Sequence, residues 1–315
     1  MAVNVKPLTR SPDLVRRRLM GHRFDAAGFL FRLMLLVALF VTLGVLVVLL
    51  VDVVSGGWGV LTTRLGDFLS GRLGISATRS GISQGLRGTF FIGMFVVLIA
   101  FPLGVGAAIY LEEYAPHSRF SRFIDVNIRN LAGVPSVVYG LLGFAIFVKA
   151  LRFLTGPEAN GATVISAGLT LSVLVLPIVI ITSAEAIRAV PGNLREAGFG
   201  VGATRWEVVR AHVLPYAGPG ILTGTVLALA RALGEAAPLI LVGATTGFLT
   251  EGDSYSLGSL RERFTAMPIV IYTWAGRPQA GFRSATAAAI VVLLVVVLLA
   301  NTVAILLRNK YEKRR

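Results

Sequence analysis

The chain has 315 residues, 55% of them hydrophobic and 15% charged, with a mean hydropathy of +0.77 and a formal net charge of +14. A soluble domain carries about 25% charged residues, so this composition excludes one and predicts a polytopic membrane protein. With no cysteine at all, disulfides, thiolate chemistry and Cys-based metal sites are excluded too.

So basic a chain raises the question of nucleic-acid binding. The Lys and Arg residues instead sit in short blocks at the ends of apolar runs and at the termini, which is the pattern of membrane topology. No nucleic-acid partner is expected. His22, His117 and His212 lie far apart, and none has a second metal ligand at useful spacing. There is no G-x-x-x-x-G-K-S/T, no Ser-His-Asp set and no paired carboxylates, so the chain reads as neither an enzyme nor an ATP binder, with no cofactor of its own.

Residues 1–29, including Arg16, Arg17 and Arg18, precede the first apolar run, and no small-residue cleavage site follows a short core. They read as a cytoplasmic tail before a retained span. A window of about 19 residues finds six stretches able to cross ~30 Å of hydrocarbon at ~1.5 Å per residue. They lie near 30–51, 85–110, 133–151, 164–183, 215–243 and 284–307. Of the 30 Lys and Arg, 19 fall on the side of both termini and 10 on the other, with Arg231 inside a span. Positive charge favours the cytoplasm, so both termini are expected there.

The first span, Leu30 to Val51, is Leu- and Val-rich and reads as a peripheral, lipid-facing helix. Residues 52–84 form an extracytoplasmic segment. The second span contains Pro102 and ends in Tyr110-Leu111-Glu112-Glu113-Tyr114, read as an interfacial tyrosine belt with two solvated glutamates. The third opens on Gly133-Val134-Pro135 and the fourth contains Pro177. With Pro238, the prolines 102, 135 and 177 are the expected helix hinges.

Residues 193–215 are too polar for lipid. Asn193 with Glu196, and Thr204 with Glu207, each predict a reciprocally capped helix start. Gly198, Gly200 and Gly202 predict a hinge between two short helices, and Pro215 marks the membrane edge. An apolar span follows at once. In it Arg231 and Glu235 stand four apart, on one helix face, roughly 24 and 30 Å along from Pro215. Two readings stay open: a structural ion pair fixing a helix interface, or an anion site in which Arg231 offers its guanidinium fork and Glu235 keeps the empty site from trapping the anion. The loop 244–283 is a soluble cap or a docking surface, and residues 308–315 form a basic cytoplasmic tail.

Glu196-Ala197-Gly198, Gly202 and Leu214-Pro215 resemble the EAA loop, E-A-A-x3-G-x9-I-x-L-P, of bacterial ABC-importer permeases. Gly198 stands for the second alanine, and His212 for the isoleucine. Pro219 to Gly224, Arg231 to Leu239, Phe264 to Pro268 and Arg277-Pro278-Gln279 are similar to the PstA-type permease of the phosphate importer. Over roughly residues 81–307, that resemblance implies an all-α, type I (MetI-like) importer permease with six transmembrane helices in the bacterial inner membrane. It further implies a heterodimer with a PstC-type permease, a pair of ABC ATPase subunits holding ATP-Mg on the inside, an extracytoplasmic phosphate-binding protein, and surrounding lipid. Glu196, Ala197, Gly198, Gly202, Leu214 and Pro215 would couple to the ATPase. Rival readings are a sulfate or molybdate permease, an ATP-independent secondary transporter or channel, and a membrane scaffold.

Overall fold

A computed structural model of the chain describes residues 26–116, 118–157, 159–245 and 257–312. The N-terminal tail up to residue 25 with His22, His117, the loop residues Glu251 and Asp253, and the end of the basic tail at 313–315 lie outside the described residues. The chain divides into two units, Met1–Asp52 and Val53–Arg315.

The described residues are helical, with no strand among them. In chain order the helices are α1 (Ala26–Thr63), α2 (Leu65–Ser70), α3 (Ser83–Ile109), α4 (Arg119–Ala132), α5 (Ser136–Gly143), α6 (Arg152–Thr155), α7 (Val164–Arg188), α8 (Gly192–Gly200), α9 (Arg205–Val208), α10 (Leu214–Gly234), α11 (Ala237–Leu241), α12 (Met267–Ala275) and α13 (Ala280–Glu312). Wider π-helical turns extend α3 over Tyr110–Tyr114 and α5 over Phe144–Ala150, and join α9 to α10 over Val209–Val213. Five helical stretches are long and apolar enough to cross a bilayer, and six if α4 and the α5 segment count as one bent span. The first unit contributes most of α1, a 38-residue helix of very high hydropathy.

In the second unit the core is built around α7. Its residues Ala167, Leu171, Val175 and Val179, four apart, are all but inaccessible. In a span without water around it, a side-chain hydroxyl has its own helix's carbonyls as the nearest partners. The hydroxyls of Thr170, Ser172 and Thr182 therefore donate back to the carbonyls of Ser166, Gly168 and Ile178 at 2.7, 2.7 and 2.9 Å. Helices α3 and α10 pack along α7. The α10 contact is close enough that a methyl group on Gly224 would lie 2.2 Å from the Thr182 hydroxyl.

Two expected spans take a different form. The third, 133–151, is an eight-residue helix and a seven-residue π-helical stretch, preceded by α4 at a 100° bend. Pro135 caps α5, where the bend needs no continuing amide donor, and Tyr139 closes the corner by donating to the Leu131 carbonyl at 2.9 Å. The fifth, 215–243, is interrupted: α10 ends at Gly234, Glu235 is extended (ψ 120°), and α11 starts anew with Pro238 in its first turn. Pro102 and Pro177 do lie inside helices, α3 and α7.

The segments flanking the spans also carry more structure than their composition suggests. Phe68, Leu73, Ile82, Met267, Trp274 and Phe282 form a second buried core, so α12 is a packed helix within what reads as a loop. Arg64 organises residues 71–82 by donating to the carbonyls of Ala77 and Thr78 at 2.6 and 2.5 Å. Thr89 receives the first free amide of α12, that of Met267, at 2.8 Å.

Candidate functional site

The polar segment folds as a helical hairpin. Its first helix, α8, starts at Gly192 behind Pro191, whose side chain makes no cap bond, so Asn193 and Glu196 lie within the helix and do not form the expected cap. Proline restricts its own φ to a helix-entry value, which moves the cap two residues earlier, from Asn193 to Pro191. The second start is as read: the Thr204 amide donates to Glu207 at 2.7 Å, the Glu207 amide donates to the Thr204 hydroxyl at 3.4 Å, and a capping box results. Of the three glycines, only Gly202 takes the left-handed backbone, φ +84°, and it makes the turn. Gly198 is buried inside α8 against Val208, while Gly200 ends the helix.

Leu214 and Pro215 do not end a helix. From Arg205 to Gly234 the backbone is one helical stretch of 30 residues, because proline in the first turn of α10 gives up an amide that the preceding π turn leaves free. The second helix of the hairpin is thereby continuous with the span that bears Arg231. At its tip Phe199, Val201 and Trp206 are 47%, 86% and 53% exposed. Three large apolar side chains are thus left exposed at the end of a polar hairpin, a feature that the pattern of glycines and glutamates did not reveal.

Arg231 and Glu235 are brought together, Nε to Oε1 at 3.4 Å, though across the end of α10 and not along a continuous helix. The Arg231 side chain is 46% exposed and that of Glu235 20%. Along α10 the exposed positions are Pro215, Tyr216, Gly220, Thr223, Leu227, Arg231 and Gly234, whereas Ala217, Ile221, Gly224, Ala228, Ala232 and Leu233 are buried. Arg231 thus lies on the exposed side of α10, a side that also meets the chain's own helices lower down, where Arg308 of α13 donates to the Thr223 hydroxyl at 3.2 Å.

Four charged residues near the hairpin are paired in ways the sequence did not suggest. Glu112 and Glu113, at the end of α3, are not solvated. Arg188 donates to Glu112 through Nε at 3.2 Å and Nη2 at 2.5 Å. Arg195 of α8 donates to Glu113 through Nε and Nη2 at 3.1 and 2.8 Å, and the Glu113 side chain is only 9% exposed. A run of two acids among tyrosines carries no sign of partners 76 and 82 positions away.

Residues 100–315 match the family described as "Binding-protein-dependent transport system inner membrane component". The phosphate transport system permease protein PstA 1 of Mycobacterium tuberculosis H37Rv is 33% identical over 281 residues, which cover 88% of this chain and 84% of that protein. The chain belongs to this family as a PstA-type permease. A Bacillus subtilis protein described as a probable ABC transporter permease, YqgI, is 38% identical over 198 residues, or 62% of this chain and 65% of YqgI. Among solved structures, a chain of a bacterial alginate ABC transporter superposes with a TM-score of 0.64, covering 93% of this chain and 94% of that one at 17% identity. That likeness gives the fold alone, the all-helical MetI-like one expected from the sequence. The chain is accordingly a multi-pass inner-membrane permease subunit and not itself an enzyme.

Proposed function

We propose that this chain is one half of an ATP-driven channel that imports inorganic phosphate. The observation that carries the reading is the unbroken helical stretch Arg205–Gly234, with an exposed apolar tip at one end and an exposed guanidinium near the other. The named PstA relative supports phosphate as the cargo. On this reading the tip, with Glu196, Ala197, Gly198 and Gly202 behind it, docks on a separate ABC ATPase, which holds ATP-Mg. ATP binding there moves the hairpin, and the rod from Arg205 carries the motion to Arg231. The exposed stripe on α10 faces the pathway shared with a PstC-type permease, and a phosphate-binding protein delivers the anion from outside. Both termini and the hairpin are then cytoplasmic, as the bias of positive charge also indicates.

Arg231 offers a planar set of donors matched to oxyanion oxygens. Glu235 beside it offsets the charge, so that the emptied site does not hold its anion. It also selects: a carboxylate accepts a hydrogen bond from a protonated phosphate oxygen and repels a fully ionised sulfate or molybdate. The test is uptake of radiolabelled phosphate by proteoliposomes bearing the whole complex, with ATP inside and unlabelled phosphate, sulfate or molybdate competing. Competition by phosphate alone is expected. Failure of phosphate to compete, or uptake without ATP, overturns the assignment.

A further inference from the structure

Arg195 lies one residue before the EAA-like glutamate, and its guanidinium makes four hydrogen bonds to two other elements. Two go to Glu113, in the π turn that ends α3. The others go to the carbonyls of Val190 and Ile187, at 2.7 and 2.9 Å, which lie at the C-terminal end of α7 and just beyond it. Helix ends leave carbonyls without helical partners, and a cation is favoured there. The side chain is 22% exposed, so these bonds act largely out of water, where each is stronger than on a surface. A second contact runs the same way: Arg205 of α9 lies over the Tyr114 ring at 5.7 Å. The turn Tyr110–Tyr114 therefore holds both helices of the hairpin.

We propose that Arg195 and Glu113 are positioning residues that transmit movement of the hairpin to α3 and α7, making a second route beside the rod from Arg205 to Gly234. The inference rests on the importer reading above. With the junction intact, α8 cannot shift without dragging the ends of two core helices. Without it, the hairpin keeps its docking surface, its helical link to α10 and its short backbone link to α7 through residues 189–191, yet α3 lags behind and α7 is moved only through that link. Hydrolysis of ATP then continues while less phosphate moves per ATP.

The native chain lacks cysteine, so a Glu113→Cys, Arg195→Cys double variant provides two unique thiols in it for a short bifunctional methanethiosulfonate. In the reconstituted complex, phosphate uptake per ATP hydrolysed is expected to fall about tenfold, within the usual range of coupling free energies. The tether should restore that ratio and a reductant should abolish it again; each single-cysteine variant with the reagent serves as control. A wild-type ratio without the tether, or a ratio that the tether leaves low, overturns the proposal. If the double variant does not assemble, Glu113→Ala is measured in its place. A lowered ratio with the ATPase still co-purifying supports the proposal, and an unchanged ratio overturns it. Absence of ATP-driven uptake in the wild-type complex would instead overturn the importer reading itself.

Discussion

Gly198 and Val208 stand so close that a methyl group on the glycine would lie 2.7 Å from the Val208 Cγ2. Val208 is 1% exposed and stiff at its branch point, so it has little room to yield. The EAA pattern has alanine at the position of Gly198. The departure has a packing reason, because in this chain the two helices of the hairpin touch through the missing side chain.

Gly198→Ala is therefore expected to destabilise the hairpin, even though alanine favours a helix by ~1 kcal/mol over glycine. Overpacking a tight contact costs roughly 1–3 kcal/mol. The net effect should be a loss of about 1 kcal/mol, seen as faster amide exchange in α8 and α9 of the detergent-purified chain. Adding Val208→Ala should relieve the contact and restore protection. Unchanged exchange in the single variant would mean that the helices separate more easily than their packing implies.

Arg231→Ala should abolish phosphate uptake while leaving assembly and thermal stability nearly unaltered. Its contact with Glu235 is long, 3.4 Å, and the Arg231 side chain is 46% exposed within the chain, so the pair contributes at most ~1 kcal/mol. Co-purification of the partner subunits and a melting curve measure the first point, and labelled phosphate uptake the second. A large drop in melting temperature would favour the structural reading of the pair. Normal uptake would remove Arg231 from the pathway.

Two glycines on α10 should respond unequally to the same change. At Gly224 a methyl group would meet the Thr182 Oγ1 at 2.2 Å and Cβ at 2.4 Å, whereas at Gly218 nothing lies within 4 Å. Gly224→Ala is expected to force α10 off α7 at a cost of about 1–3 kcal/mol. Gly218→Ala meets no distant neighbour but sets a Cβ against the Pro219 ring within the helix, so it is expected to gain little of the ~1 kcal/mol of helix propensity and to lose none of the α7 contact. Melting temperatures of the two purified variants give the comparison.

Much of this protein follows from its order of residues alone. Long apolar runs must become helices in a bilayer, because no other local structure satisfies the backbone there, so the helical class and most of the spans are legible. A short-range signal such as Thr204 with Glu207 is legible for the same reason, since both partners of the bond lie within one turn. The motif from Glu196 to Pro215 likewise carried the family resemblance.

Tertiary structure alone decided how far the chain turns at its breaks and what the charged residues touch. The 100° bend before α5 and the end of α10 at Gly234 depend on neighbouring helices as well as on Pro135 and Glu235. The pairing of Glu113 with Arg195 joins residues 82 positions apart, and nothing local to either announces the other. Hydropathy sums along the chain and so finds the spans, whereas a hydrogen bond between distant side chains exists only once packing has brought two helix ends together.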